Sequence, residues 1–205
     1  MIPKGDVRET VGRPEYKELR RQIAHMFMGI LIVLLLKLQF LNQEILFLIL
    51  IGGGILSLVM CKYHIPVLHK VLAYFERPHD LKHFPGKGSF FLVLGSLLAV
   101  VFFQRDIAMA AITIMAVGDA ITAVIGTYFG KIKNPLNPSK HLEGTLLAIV
   151  FSTIAALFFV DFEKAFWASA VSIIFESLSI RYISRVIDDN VMIPLVAGVV
   201  MTWMG

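Results

Sequence analysis

Residues 115–145, MAVGDAITAVIGTYFGKIKNPLNPSKHLEGT, place an acid inside an apolar segment and follow it with a short basic loop. The acid is Asp119, and it is accompanied by Gly118, Gly126 and Gly130. A carboxylate in the hydrocarbon core of a bilayer costs about 3 kcal/mol or more, so it usually faces the interior of a helix bundle and marks a pathway or a site. The stretch therefore predicts a membrane helix bundle with a polar site. The plainer alternative is an aspartate that only accepts hydrogen bonds from a neighbouring helix.

The end of this stretch carries the residue types that phosphoryl transfer requires. Lys140 and Glu143 lie three residues apart, with Gly144 next, where the following helix is predicted to start. This chemistry consists mostly of positioning and charge neutralisation, so it needs a cation for the phosphates and acids for a metal ion. Lys140 suits the phosphates, and Glu143 and Asp119 suit the metal. We interpret residues 130–144 as a nucleotide-site loop in which glycine lets a backbone or a ligand approach closely.

The composition is typical of an integral membrane protein. The 205 residues are 57% hydrophobic with a mean hydropathy of +0.76, which is too apolar for an ordinary soluble domain. Cys61 is the single cysteine, so no internal disulfide forms, and no Cys/His spacing indicates a zinc site. We expect one domain over residues 1–205, no nucleic-acid partner, and a capacity to form homo-oligomers through the three consecutive glycines at 52–54.

Seven apolar segments predict an all-α polytopic bundle of about seven transmembrane helices. A transmembrane helix needs about 20 apolar residues, with a range of roughly 17–25. The third, fifth and seventh segments are short, so we expect them to tilt little, to thin the bilayer locally or to be partly re-entrant. The candidate spans are residues 23–41, 45–61, 89–103, 107–129, 145–160, 165–183 and 191–203.

The distribution of basic residues predicts the orientation. All but three of the 19 Lys and Arg residues fall in the N-terminal segment and in alternate loops; the exceptions are Lys37, Arg105 and Lys164. Because positively charged loops stay in the cytoplasm, we expect a cytoplasmic N-terminus and an outside C-terminus. The second cytoplasmic segment begins with the apolar period of an interfacial amphipathic helix. The cytoplasmic segments include residues 1–22, 62–88 and 130–144.

Polar residues flank the start of the first predicted span. They are Glu18, Arg20, Arg21 and His25. Arg21 and His25 are four residues apart and therefore share a helical face. For the two arginines, the alternative to a site role is contact with anionic lipid headgroups, which juxtamembrane basic residues commonly make.

Two acids lie within predicted spans. Asp119 lies about 16 Å from the inner end of its span, so we expect either a helix break near Gly118 or a polar funnel into the inner leaflet. Glu176 lies in the inner half of the sixth span. Two carboxylates on helices that reach the same membrane face indicate a shared cation. The alternative for either acid is a neutral, protonated side chain or a hydrogen bond to Ser or Thr.

Together these motifs resemble the CTP-dependent lipid kinases, a family that includes dolichol kinase, phytol kinase and fungal-type diacylglycerol kinase and is related to the phosphatidate cytidylyltransferases. Gly118-Asp119 followed by Lys140-x-x-Glu143-Gly144 resembles the central motif. Taken alone, the acidic run before the last span would be a helix cap, and the proline after it a first-turn proline. The other matching positions are Glu18, Arg21, His25, Glu176, Asp188, Asp189, Asn190 and Pro194.

The resemblance implies an enzyme that transfers the γ-phosphoryl group of CTP to the hydroxyl of a membrane lipid alcohol, either polyprenol- or dolichol-like or diacylglycerol-like. It implies that Asp119, Lys140 and Glu143 are catalytic, with Glu143 as a metal ligand or as the base. The implied Mg²⁺ ligands are Asp119, Glu143, Asp188 and Asp189. The implied nucleotide contacts are Arg20, Arg21, Gly118, Gly130, Lys131, Lys140 and Gly144, and further site candidates are Glu18, His25, Glu176 and Asn190.

One position departs from the family pattern, and two other functions stay open. Lys140 is followed by His141 where the family has Ser or Thr, so a hydroxyl ligand is missing or is supplied by Ser139. The same acids and cations would serve a cytidylyltransferase that attacks the α-phosphate of CTP. A small ion-coupled transporter would use Asp119 and Glu176 instead, but it predicts inverted repeats, which the sequence lacks.

Overall fold

A computed structural model describes residues 14–63, 65–76, 78–179 and 188–205. The beginning of the predicted N-terminal segment 1–22 and the end of the sixth predicted span lie outside these residues. Within them the protein is predominantly helical, as predicted. The helices are α1 (Pro14–Lys37), α2 (Gln43–Lys62), α3 (Pro66–Phe75), α4 (Pro78–His83), α5 (Lys87–Phe102), α6 (Arg105–Tyr128), α7 (Leu142–Ala156), α8 (Phe162–Ser179) and α9 (Asp189–Trp203).

Each predicted apolar span contains a helix, and three of these helices are long and apolar enough to cross a membrane. These three are Glu18–Lys37 within α1, Gln43–Lys62 and Arg105–Tyr128. Helices α5, α7 and α9 are apolar but shorter. Length and composition therefore identify a membrane protein, while the count of seven spans stays a prediction.

Helix α6 is the centre of the bundle, because α1, α5, α7, α8 and α9 all pack against it. Five of its six alanines are buried, and Gly29 of α1 faces one of them, Ala116, so closely that a methyl group at position 29 would clash. Small residues are what membrane helices use to approach one another. Helix α6 continues without a break through Gly118, so the predicted helix break does not occur, and Asp119 lies on an intact helix.

A short β-hairpin occupies part of the segment that the sequence analysis interpreted as a loop. Strands β1 (Lys133–Asn134) and β2 (Asn137–His141) pair antiparallel. Asn134 is buried; its Oδ1 accepts from the backbone N–H of Leu136 (2.9 Å) and its Nδ2 donates to Thr145 Oγ1 (3.0 Å). Asparagine often closes turns in this way. The fold is all-α apart from this hairpin, which lies where the sequence analysis predicted a nucleotide-site loop. The hairpin fixes the direction in which the side chain of Lys140 leaves β2.

Helix α3 forms where the amphipathic helix was predicted, and α4 follows it within the predicted loop. None of the described side chains of α3 is buried, and Val67 and Val71 are among its exposed residues. The guanidinium carbon of Arg20 lies 4.2 Å from the centroid of the Tyr74 ring, a cation–π contact that joins α3 to α1. The position of α3 at a membrane surface stays a prediction.

Candidate active site

An ion pair between Lys140 and Glu176 joins β2 to α8. The Lys140 side chain is 16% exposed and that of Glu176 only 3%. Burial alone would lower the pKa of Lys140, but the carboxylates of Glu176 and Asp119 outweigh it and raise that pKa above its ordinary value. Lys140 is therefore a permanent cation in a largely buried position.

Asp119 lies within electrostatic reach of both members of this pair. Its carboxylate also interacts with Asp189 and Arg21. Lys140 interacts with both Asp119 and Glu176, so a protein side chain supplies positive charge to these two acids. A bound cation shared by the two acids stays a prediction. Residues from α1, α6, β2, α8 and α9 meet in this cluster.

Arg21 supplies the second cation, and Glu18 orients it. Its Nη2 lies 2.6 Å from Glu18 Oε1 and its Nε 3.3 Å from Oε2, so the guanidinium is held in a fork by one carboxylate. Arg21 also interacts electrostatically with Asp119 and Asp188. The two predicted arginines therefore have different surroundings: Arg21 faces the acidic cluster, whereas Arg20 stacks on Tyr74.

The acidic run before the last helix divides into two roles. Asp188 caps α9: its Oδ1 accepts from the backbone N–H of Asn190 (3.1 Å) and from its Nδ2 (2.8 Å). Asp188 is therefore a helix cap, as the alternative interpretation of this acidic run predicted. Asp189 is different, because its Oδ1 is buried without a hydrogen-bond partner among the described residues. A buried orphan acceptor is costly unless a ligand or an ion completes it.

His25 connects the N-terminal motif to this cap. It is 6% exposed, and its ring interacts with the side chain of Asn190. Gly88 lies against the same ring, and a Cβ at position 88 would come within 2.6 Å of it. Gly95 lies against the backbone carbonyl of Asn190, where a methyl group would overlap.

Sequence reasoning missed Gly88 and Gly95. Both lie in α5. The sequence analysis placed Gly88 at the end of the cytoplasmic segment 62–88 and Gly95 in the predicted span 89–103, and gave neither a role. The available signal was two glycines seven residues apart, which lie on one helical face. Nothing in the sequence identified their partners on α1 and α9.

Glu143 and its neighbouring glycines hold the hairpin on the bundle. The Glu143 carboxylate accepts from the backbone N–H of Lys131 (3.2 Å) and Ile132 (3.0 Å). Backbone N–H groups, first its own and then those of Ile132 and Lys131, lower its pKa from the ordinary 4.5. A Cβ at Gly144 would lie 3.0 Å from the Thr122 carbonyl oxygen, so glycine lets α7 meet α6. These contacts describe a structural role, and a metal-ligand or base role for Glu143 stays a prediction.

The position that departs from the family pattern is also structural here. His141 packs against Gly130 and Gly126, where a side chain at position 130 would collide with the imidazole. The Ser139 hydroxyl donates to Asn137 Oδ1 at 2.6 Å. His141 and Ser139 therefore both make structural contacts in and around the hairpin.

The cluster is richer in acids than in cations. Asp119, Glu176, Asp188 and Asp189 face Arg21 and Lys140. Among the described residues, no group of three or more His, Cys, Asp or Glu side chains could by itself hold a metal ion. Mg²⁺ is commonly bound by one or two carboxylates together with substrate phosphates and water, so the oxygen donors and the orphan Oδ1 of Asp189 fit it.

Comparison with known proteins relates the chain to plant phytol kinases. It is 32% identical to "Phytol kinase 1, chloroplastic" of Arabidopsis thaliana over 126 residues, which are 53% of this chain and 40% of that protein. It is 24% identical to "Probable phytol kinase 2, chloroplastic" of Oryza sativa subsp. japonica over 202 residues, 90% of this chain and 65% of that protein. An uncharacterized protein of Methanocaldococcus jannaschii is 28% identical over 192 residues, 90% of this chain and 93% of its own.

These similarities confirm, at a distance, the resemblance to the lipid kinase family that contains phytol kinase. The chain spans only 40% of the length of the Arabidopsis protein. No protein-family model matches the chain, and no solved structure does.

Proposed function

We propose that the chain is a membrane-embedded lipid kinase that transfers the γ-phosphoryl group of CTP to the hydroxyl of a long-chain alcohol. The observation that carries the proposal is the cluster in which Lys140 and Arg21 face Asp119, Glu176 and Asp189. Similarity to phytol kinases supports the same reaction class. It favours an isoprenoid alcohol over a diacylglycerol as the acceptor.

The proposed topology has seven spans, a cytoplasmic N-terminus and an outside C-terminus, with the active site on the cytoplasmic side. Three of the spans rest on helices of sufficient length. Three others rest on the shorter apolar helices α5, α7 and α9, and the remaining span rests on the apolar segment 165–183 that contains most of α8. The orientation rests on the asymmetry of Lys and Arg. Arg21, Glu176 and Asp189 lie toward the ends of their helices that this topology places inside, where a water-soluble nucleotide arrives. Asp119 lies deeper, within α6.

The reaction is a displacement at phosphorus. The oxygen of the lipid hydroxyl bonds to the γ-phosphorus while the bond from that phosphorus to the β,γ-bridging oxygen breaks. CDP leaves with the electron pair, and the hydroxyl proton passes to a carboxylate of the cluster and then to water. Because the transition state gathers charge on phosphoryl oxygens, fixed cations are the main catalytic resource. Lys140 and Arg21 occupy that role.

Mg²⁺ is the proposed cofactor, with Asp119 and Asp189 as its protein ligands. When bound, it neutralises the charge of neighbouring phosphate oxygens. The paired Lys140 and Glu176 keep the phosphate-binding ammonium in place between turnovers. Glu18 does the same for Arg21.

The test uses purified protein in detergent with Mg²⁺ and CTP labelled at either the γ- or the α-phosphate. Phytol, a polyprenol and a diacylglycerol are offered in parallel, and ATP is compared as a donor. We expect γ-label to enter the lipid phase with phytol or the polyprenol, and Asp119→Asn to abolish the transfer. The matched control is Asp106→Asn, an exposed acid on the same helix about 20 Å away at 1.5 Å per residue.

Other outcomes would overturn the proposal in distinct ways. Transfer of α-label would make the protein a cytidylyltransferase. No transfer of either label from any nucleotide would remove the kinase function and return attention to ion transport. Full activity of Asp119→Asn would remove the cluster as the site.

A further inference from the structure

A cavity of about 380 Å³ lies between α1 and α3 and reaches the cluster at one end. Its volume is within the usual range for small-molecule sites. Arg21 and Asp188 line it, so it adjoins the phosphate-binding cluster, whereas Lys140, Glu176 and Asp119 are not among its lining residues. The cavity is therefore next to the proposed nucleotide position and separate from it.

The lining combines polar and apolar side chains. The polar ones are Arg21, His25 and Asp188 next to the cluster, together with Glu76, Asp80, Lys87 and Ser89. The apolar ones come mainly from two helices, with Phe27 and Met28 on α1 and Val71, Leu72 and Phe75 on α3. Phe27 is 69% exposed, so this apolar side opens at the outer surface of α1, which faces lipid in a membrane. A molecule with one polar end and a hydrocarbon tail matches such a lining.

His25 lines this cavity and has an unused hydrogen-bond acceptor. Its Nδ1 is buried without a hydrogen-bond partner among the described residues, and its ring interacts with the side chain of Asn190. Asn190 donates from Nδ2 to Asp188, which leaves its Oδ1 available as an acceptor. With the proton on Nε2, Nδ1 of the neutral ring is an acceptor with a free lone pair.

We propose that this cavity is the acceptor site, in which a long-chain alcohol donates its hydroxyl hydrogen bond to His25 Nδ1 and extends its chain past Met28 and Leu72 into the bilayer. This inference rests on the proposed kinase function and adds the place and the polarity of the second substrate. The hydroxyl oxygen then lies beside Arg21 and Asp188, at the edge of the cluster that binds phosphate. Lateral entry follows, because the apolar end of the cavity is open at the surface of α1.

The first test fills the cavity. Leu72→Trp places a larger side chain in it, and the matched control Val67→Trp makes the same change on the same helix, at a residue that is 71% exposed and outside the cavity lining. With phytol as acceptor, we expect Leu72→Trp to raise the KM for the alcohol at least tenfold and to leave the KM for CTP within twofold. Val67→Trp should change neither constant by more than twofold.

The second test separates the two nitrogens of His25. Glutamine mimics Nε2 and loses the acceptor at the Nδ1 position, whereas asparagine mimics Nδ1 and loses the contact with Asn190. We expect His25→Gln to raise the KM for phytol at least tenfold and His25→Asn to raise it clearly less. A purely structural role of the ring predicts the reverse order, because it depends on the Asn190 contact.

The outcomes distinguish the inference from the function on which it rests. If the wild-type protein phosphorylates none of the alcohols, the kinase function fails. If it phosphorylates phytol but Leu72→Trp behaves like Val67→Trp, the cavity is not the acceptor site. Equal losses in the KM for CTP and for phytol would likewise overturn the inference, since they would indicate a general distortion.

Discussion

The ammonium of Lys140 forms an ion pair with the carboxylate of Glu176, and this pair connects the hairpin to α8 across 36 residues of sequence. Both partners are largely buried. Removing one partner of a buried pair leaves an uncompensated charge, whereas replacing both by apolar residues is often neutral. The effect of the pair on stability can therefore be measured separately from the effect of Lys140 on phosphate transfer.

A double-mutant cycle makes that separation. We expect Glu176→Leu to lower the free energy of unfolding by about 3 kcal/mol, because Lys140 stays buried and charged. The double variant Lys140→Met with Glu176→Leu should recover much of that stability and yet transfer no phosphate. Thermal unfolding in detergent and the labelled-CTP assay measure the two effects. A double variant that retains activity would show that Lys140 is structural alone.

The sequence was sufficient to predict the helices but not this pair. Runs of about 20 apolar residues are a strong signal, so each predicted span contains a helix, displaced by a few residues at its ends. Lys140 and Glu176 were both chosen as candidates, yet their contact depends on how β2 leaves the hairpin and on the rotation of α8. Neither is encoded in local periodicity.

The hairpin itself escaped prediction for a related reason. Its strands are short and lack apolar alternation, and what fixes them is the buried Asn134 with its bond to Thr145, a contact between separate elements. Glu143 was interpreted as catalytic because of its spacing from Lys140. The structure gives its carboxylate backbone N–H donors that spacing could not reveal.

The lowered pKa of Glu143 predicts a pH dependence of stability. A carboxylate whose folded-state pKa lies below its ordinary value stabilises the fold above that value, and the contribution disappears as the pH falls through the folded-state pKa. We therefore expect Glu143→Gln to lower the melting temperature at about pH 7, with the difference from wild type shrinking below pH 4.5.

The matched control for this prediction is Glu44→Gln, which removes a carboxylate from the first turn of α2. It should not reproduce the pH-dependent difference. Melting curves in one detergent at closely spaced pH values provide the comparison. A Glu143→Gln difference that stays constant down to about pH 3.5 would contradict the proposed anchoring of the hairpin.

Two glycine substitutions test the contact between α5 and α9. A methyl group at Gly95 would overlap the Asn190 carbonyl, which is backbone and cannot move aside, so we expect Gly95→Ala to cost about 1–3 kcal/mol or more. At Gly52 no atom lies within 4 Å of the added carbon, and the helical preference for alanine should make Gly52→Ala neutral or stabilising by about 0.5–1 kcal/mol.

Melting temperatures of the two variants measure this contrast, and the assay with labelled CTP adds a functional reading. Gly95→Ala should also lose activity, because Asn190 donates a hydrogen bond to Asp188 and interacts with His25. Similar stability of the two variants would mean that α5 and α9 are farther apart than described.

The orphan Oδ1 of Asp189 leads to a prediction about Mg²⁺. If this carboxylate is a ligand, Asp189→Asn removes its charge while keeping its size, and the Mg²⁺ concentration for half-maximal activity should rise about tenfold, equivalent to about 1.4 kcal/mol. Asp188→Asn should act differently, because Asp188 caps α9 and its loss should lower the melting temperature first.

Binding of Mn²⁺ in the presence of CDP, followed by electron paramagnetic resonance, gives a reading that does not depend on turnover. Asp106→Asn again serves as the control for an exposed acid on α6. Unchanged Mn²⁺ affinity in Asp189→Asn, together with a reduced affinity in Asp119→Asn, would leave Asp119 as a ligand and exclude Asp189, whose buried oxygen would then need a donor from the substrate.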